Sequence, residues 1–173
     1  MRILYHGDMG VGQHALQRAE AFARLPGFTV VQSPMPTQPP ANILLSIAKS
    51  VAWRLHRPLD LAGENAALLA AARSARPDVL FCDNARNIRP ATLAAIKEET
   101  GAHLVFSSPD DIVAPHNGSK WLADSYAQWD LFFTTKTFNI AELRAAGVRR
   151  VALASNMYNP AIHRPMTPAE VGA

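Results

Sequence analysis

The stretch Trp129–Pro165, WDLFFTTKTFNIAELRAAGVRRVALASNMYNPAIHRP, decides how the rest of the chain is read. Asp130 to Thr134 is a short apolar run rich in β-forming residues. Asn139 to Ala146 has helical spacing through Ile140 and Leu143, and Gly147 stands where a helix end wants a residue tolerant of a left-handed backbone. Val151 to Ala154 is a second strand-like run. Strand, short helix and strand with connections this tight form the repeating unit of a parallel sheet covered by helices.

Outward from that stretch the same alternation runs back to the start of the chain. Strands are expected at Arg2–Tyr5, Phe28–Gln32, Asp78–Cys82 and His103–Ser107, and helices at Gln13–Leu25, Asn42–Leu55, Leu61–Ala75, Ala91–Glu99 and Trp121–Gln128. The pattern predicts an α/β fold, a doubly wound, Rossmann-like domain of about six parallel strands with helices on both faces. Two helices separate the second and third strands. A crossover of that length can carry the chain past the first strand and set the third on its far side, which creates a topological switch point, the usual ligand crevice of open α/β sheets. Residues 1–165 read as this domain and 166–173 as the start of an interdomain linker.

With 173 residues, 49% of them hydrophobic and 18% charged, the chain can bury the core of one domain. Its formal charge of +3 comes with an early excess at Arg18, Arg24, Lys49, Arg54 and Arg57, without the dense basic run interleaved with aromatics that would suggest nucleic acid. The single cysteine, Cys82, excludes an internal disulfide and a CxxC site. No stretch resembles a signal peptide or has the length of a membrane span, so a cytoplasmic protein is expected.

Candidate binding residues follow the predicted strands. After the first comes His6-Gly7-Asp8-Met9-Gly10-Val11-Gly12, in which Gly7, Gly10 and Gly12 could let a backbone cradle an anion or could serve a tight turn. The spacing is not G-x-G-x-x-G, the second strand ends without an acidic ribose holder, and no P-loop is present. After the third strand comes the loop Asp83–Pro90, expected at the switch-point crevice and opened by Asp83 and Asn84, and after the fourth the polar run with Ser108, Asp110, Asp111 and His116. Asp110 and Asp111 read either as paired carboxylates, one of them raised in pKa and fit to act as a base, or as a turn and helix cap. Asp111 with His116 supplies too few ligands for a metal. Lys136 follows the fifth strand. In the 42–55 helix Leu44, Ile47, Ala48, Val51 and Leu55 form one stripe, with Ile43 and Trp53 off it. The stripe predicts a core helix whose Trp53 packs under the proline loop Ser33–Pro40. The other reading is contact with a membrane surface or an acidic acceptor through Trp53, Arg54 and Arg57, beside Lys49 and His56.

Asp130, Asn139, Glu142, Leu143, Gly147, Tyr158, Asn159, Pro160, His163 and Pro165 stand in the order and spacing with which a known N-terminal domain closes. On these residues the chain resembles the N-terminal domain of the GT-B glycosyltransferases, in particular the CgeB-like (spore-maturation-protein-like) group. The resemblance implies the acceptor-side half of an enzyme that moves a sugar from a nucleotide-sugar donor to an acceptor. It also implies no bound metal or other cofactor, and a C-terminal donor-binding domain as partner, outside these 173 residues. Asp110 or Asp111 would then take the proton from the acceptor hydroxyl, with Asp8 and Asp83 next in line. His6 would hydrogen-bond a hydroxyl or phosphate, Lys136 would offset phosphate charge, and Asn156 and His163 would pack between domains. The chain alone is expected to be inactive. The rival expectation is a stand-alone Rossmann-like binding or regulatory module without catalysis.

Overall fold

Buried residues alternate along the strands and divide between two apolar clusters, as a sheet covered on both faces requires. A computed structural model describes residues 1–36, 42–155 and 164–171. Its elements are β1 (Arg2–His6), α1 (His14–Ala23), β2 (Thr29–Gln32), α2 (Ile43–Arg54), α3 (Glu64–Ala75), β3 (Val79–Asp83), α4 (Pro90–Thr100) and β4 (His103–Ser108). There follow α5 (Lys120–Ser125) with a 3₁₀ turn at Tyr126–Gln128, β5 (Leu131–Thr134), α6 (Asn139–Ala145), β6 (Val151–Leu153) and the short α7 (Pro168–Val171). Each expected element is present, with ends shifted by one to three residues. Tyr158, Asn159, Pro160, His163 and Asn156 lie outside the described residues.

The six strands form one parallel sheet in the order β2-β1-β3-β4-β5-β6. The chain runs β1 to β2 in one direction, then crosses back over β1 through α2 and α3 before stepping outward from β3. The switch point therefore falls between β1 and β3, where His6 lies opposite Cys82. Two aspartates pin the register from outside the ladder: Asp78 accepts the Arg2 N–H at 2.6 Å and Asp130 the Leu104 N–H at 2.9 Å.

The two faces are covered unequally. Leu4, Leu80, Cys82, Leu104, Phe106 and Phe132 pack under Leu68 and Ala72 of α3, Leu93 and Ile96 of α4, Leu122 of α5 and Leu143 of α6. On the opposite face Ile3, Tyr5, Phe81 and Val105 meet Ala15 and Ala19 of α1, joined by Phe22, and Leu131 and Phe133 are partly buried at the margin. Ala15, Ala19 and Phe22 carry the buried side of α1, and Ala23 is exposed.

One expectation is overturned. The stripe on α2 does not face the core: Leu44, Ile47, Ala48, Val51 and Leu55 are exposed, as are Ile43 and Trp53. Only Ala52 is buried. Trp53 has the Arg86 guanidinium 5.7 Å from its ring centre, and residues 37–40 of the proline loop under which it was expected to pack lie outside the described residues. Periodicity identifies residues that share a helix face; it does not say which way that face turns.

Candidate functional site

Because all six strands are parallel, the residues that follow them gather at one edge of the sheet, and the close approach there explains Gly7. A Cβ on Gly7 would stand 3.0 Å from the Cβ atoms of Ala15 and Asp83, so only glycine lets the end of β1 lie against α1 and β3 together. Gly12 has φ +85° with open space around it, which is the turn reading of that position. Gly10 donates its N–H to Asp8 Oδ1 at 2.9 Å, so the loop's own carboxylate takes the place an anion would fill.

Between the ends of β1 and β3 opens a cavity of about 350 Å³, lined by His6, Gly7, Asp8, Met35, Trp53, Glu64, Asp83 and the segment Asn84–Asn87. Of the residues singled out from sequence, His6, Gly7, Asp8, Asp83 and Asn84 meet here. Gly10, Gly12, Ser108, Asp110, Asp111 and Lys136 do not line it. Ser108 and Asp110 adjoin it through Asn84, which donates to Asp110 Oδ2 at 3.4 Å and accepts from the Ser108 hydroxyl at 3.3 Å. Asp111 Oδ1 accepts from the Asn139 amide at 2.8 Å and the Ala114 N–H at 3.3 Å, which ties it to α6. Lys136 is half-buried beyond β5, its N–H bonded to the Thr134 hydroxyl.

Two buried polar groups straddle the sheet at this point. On the α3 side, His6 Nε2 lies 3.0 Å from Glu64 Oε1 and Nδ1 lies 3.1 Å from the Ser33 hydroxyl. Glu64 Oε2 accepts from the Asn87 amide at 3.3 Å. Glu64 opens α3, and Asp60 holds that helix end by accepting from the Glu64 N–H (2.6 Å) and from the N–H and side-chain amide of Asn65. Burial acts to raise the Asp60 carboxyl, but the Asn65 and Glu64 donors outweigh it and hold it below the usual range. On the α1 side, Asp83 accepts from the Tyr5 hydroxyl at 2.7 Å and forms an ion pair with Arg18. Burial, reinforced by the Asp83 charge, pushes the Tyr5 phenol far up, so it stays a donor. Asp83 is thus held on the face away from the His6–Glu64 pair.

Sequence reading placed the loop that carries Asn87 at the crevice and weighed Trp53 as an acceptor contact, but it missed Glu64 and Ser33. Glu64 did leave a trace: it is the sole acidic residue between Asp60 and Asp78, at the start of an otherwise apolar, alanine-rich helix.

A second cavity, about 290 Å³, lies on the α1 side among Phe22, Leu25, Phe81, Pro109 and Phe133, with Arg18, Ser107, Ser108, Thr134, Thr135 and Ser155 as polar lining. Its one charged group is committed to Asp83, so proton-accepting carboxylates and the imidazole are found in the His6 cavity. Among the described residues no group of three or more His, Cys, Asp or Glu is arranged to hold a metal ion. No helix among them is long and apolar enough to cross a membrane. No protein-family model, curated protein or solved structure matches the chain. The fold and site together define a Rossmann-like α/β domain with a polar crevice at its switch point.

Proposed function

We propose that this chain is the acceptor-side half of a glycosyltransferase of the GT-B, CgeB-like kind, and that the His6 cavity receives the sugar acceptor. The observation that carries this reading is the lining: carboxylates (Asp8, Glu64), amides (Asn84, Asn87), an imidazole, the Arg86 guanidinium and the Trp53 ring against which it stands. Such a mixture hydrogen-bonds hydroxyls in both directions and offers an aromatic wall to a sugar's C–H face. Its acidic groups suit a neutral polyhydroxyl acceptor better than a phosphate, in keeping with a donor nucleotide held by a separate domain.

Asp8 is the carboxylate best suited to take the acceptor's proton. One oxygen is engaged by Gly10, the side chain is exposed at the mouth, and it is nearer the cavity than Asp110 or Asp111. His6 and Glu64 position the acceptor from the floor, and Asp83 with Arg18 and Tyr5 braces the sheet edge.

The test is an NMR titration of the 173-residue chain with a panel of neutral mono- and oligosaccharides and, separately, with UDP-, GDP- and TDP-sugars. Saccharides are expected to shift the resonances of His6, Asn84, Asn87 and the Trp53 indole with millimolar affinity, weakened in Asp8→Asn and Glu64→Gln. Nucleotide sugars are expected to bind no better than the sugars alone, since half a cleft leaves the nucleotide's binding costs uncompensated. Micromolar affinity for a nucleotide sugar would move the donor site into this chain and overturn the assignment. Silence toward every saccharide would favour a binding module for another ligand.

A further inference from the structure

Helix α2 turns its large apolar side chains outward. Ile43 and Leu44 are 80% and 79% exposed, and Ile47, Val51 and Leu55 follow on the same side, each at least half exposed. The inward side is thin, with Ala52 buried and Leu45 partly so. Isolated exposed leucines need no explanation, but a continuous apolar helix face calls for a partner.

Charge decides which partner. From Ser33 to Leu59 the sequence contains no Asp or Glu, while it carries Lys49, Arg54, His56 and Arg57. Two copies of this chain packed face to face about a two-fold would bring these cations together with no acid of the same segment to neutralise them. An anionic lipid surface meets both requirements, since its acyl boundary accepts the apolar stripe and its headgroups attract Lys and Arg. At 12 residues, and so about 18 Å long, α2 lies along such a surface and does not cross it. Trp53, at the border of the stripe, is the residue type that favours the headgroup level.

We propose that α2 docks this protein on the surface of an anionic bilayer, with its apolar face in the interface and Arg54 and Arg57 against the headgroups. Trp53 also lines the His6 cavity, so docking brings the mouth of that cavity to the lipid surface. The contact stands independently of the glycosyl-transfer reading; if both hold, the acceptor is a hydroxyl borne by a membrane-held molecule.

The experiment is co-sedimentation of the 173-residue chain with phosphatidylcholine vesicles, with and without phosphatidylglycerol, alongside sizing in solution. Binding to the anionic vesicles is expected, at least tenfold weaker to phosphatidylcholine alone and falling as salt rises, with a blue shift of the Trp53 emission. I47E/V51E removes the binding. R54E/R57E weakens it about tenfold or more, at roughly 1 kcal/mol per basic residue lost at the surface and a further repulsion from each new acid. The altered side chains are exposed, so all variants keep the parent melting temperature. R144E/R149E, on a different part of the surface, keeps full binding. No partitioning onto either vesicle would overturn the proposal, as would equal binding to both or equal loss in R144E/R149E. A dimer in solution that I47E/V51E dissolves would replace it with an interface between copies.

Discussion

Asp83, Arg18 and Tyr5 act as one buried unit, and replacing any of them strands the others. Arg18→Met removes the counter-charge and leaves a carboxylate that is almost wholly buried. It is expected to cost about 3 kcal/mol or more in urea unfolding at pH 7, and Arg18→Met with Asp83→Asn should recover part of that loss, because the uncompensated charge is gone. Tyr126 permits a cleaner measurement. Burial, with a smaller contribution from Asp111, pushes its phenol up to about 12. A phenol raised in the folded state contributes fully below its unfolded pKa of about 10 and loses that contribution as pH rises toward the folded value. The wild-type melting temperature should therefore fall between pH 10 and 12, and Tyr126→Phe should flatten that limb by up to about 2 kcal/mol while leaving the neutral-pH midpoint nearly unchanged.

The start of α3 links stability to the site. Its backbone donors end on Asp60, and its first residue, Glu64, holds His6. Asp60→Ala is expected to cost about 1–2 kcal/mol in chemical denaturation, the range of a lost helix cap, and to broaden the His6 ring resonances as Glu64 loosens. The Asp60 carboxyl titrates low when folded, so its stabilisation is present above an unfolded pKa of about 4 and disappears as pH falls through the folded value. Asn139 is a comparable joint at α6, fully buried and donating to both Asp111 and Glu142 at 2.8 Å. Asn139→Ala should cost about 2 kcal/mol, since it leaves two carboxylates without their shared donor. Elements such as these were legible in the chain because short apolar runs alternate with capped helical ones, and the β2–β3 crossover implied that β3 lies on the far side of β1. His6, Gly7, Asp8, Asp83 and Asn84 were legible because strand ends collect at one edge. The loop that carries Asn87 was legible for the same reason, but Glu64 was not, since it reaches the cavity from a helix start that the strand rule does not cover. The direction of α2 was not legible either: its periodic stripe is equally compatible with burial in protein and with exposure to a different medium.

For the whole molecule, the uneven cover of the sheet means that, among the described residues, most of the buried apolar side chains lie under α3 to α6, with α1 as the helix that closes the other side. The strand order has a temporal consequence as well. β1 is made before both of its neighbours yet ends as an inner strand, and its tie to the β3 side, from Arg2 to Asp78, spans 76 residues. Between Gln32 and Val79, 46 residues (33 to 78) must emerge before β3 can pair with β1. At a synthesis rate of roughly 5–20 residues per second, that leaves β1 and β2 as a two-stranded ribbon for roughly 2–10 s, with Leu4, Ile3 and Tyr5 lacking much of their final cover. The growing polypeptide is most open to chaperones, and to mistaken association, during that interval, well before the crevice at the switch point exists.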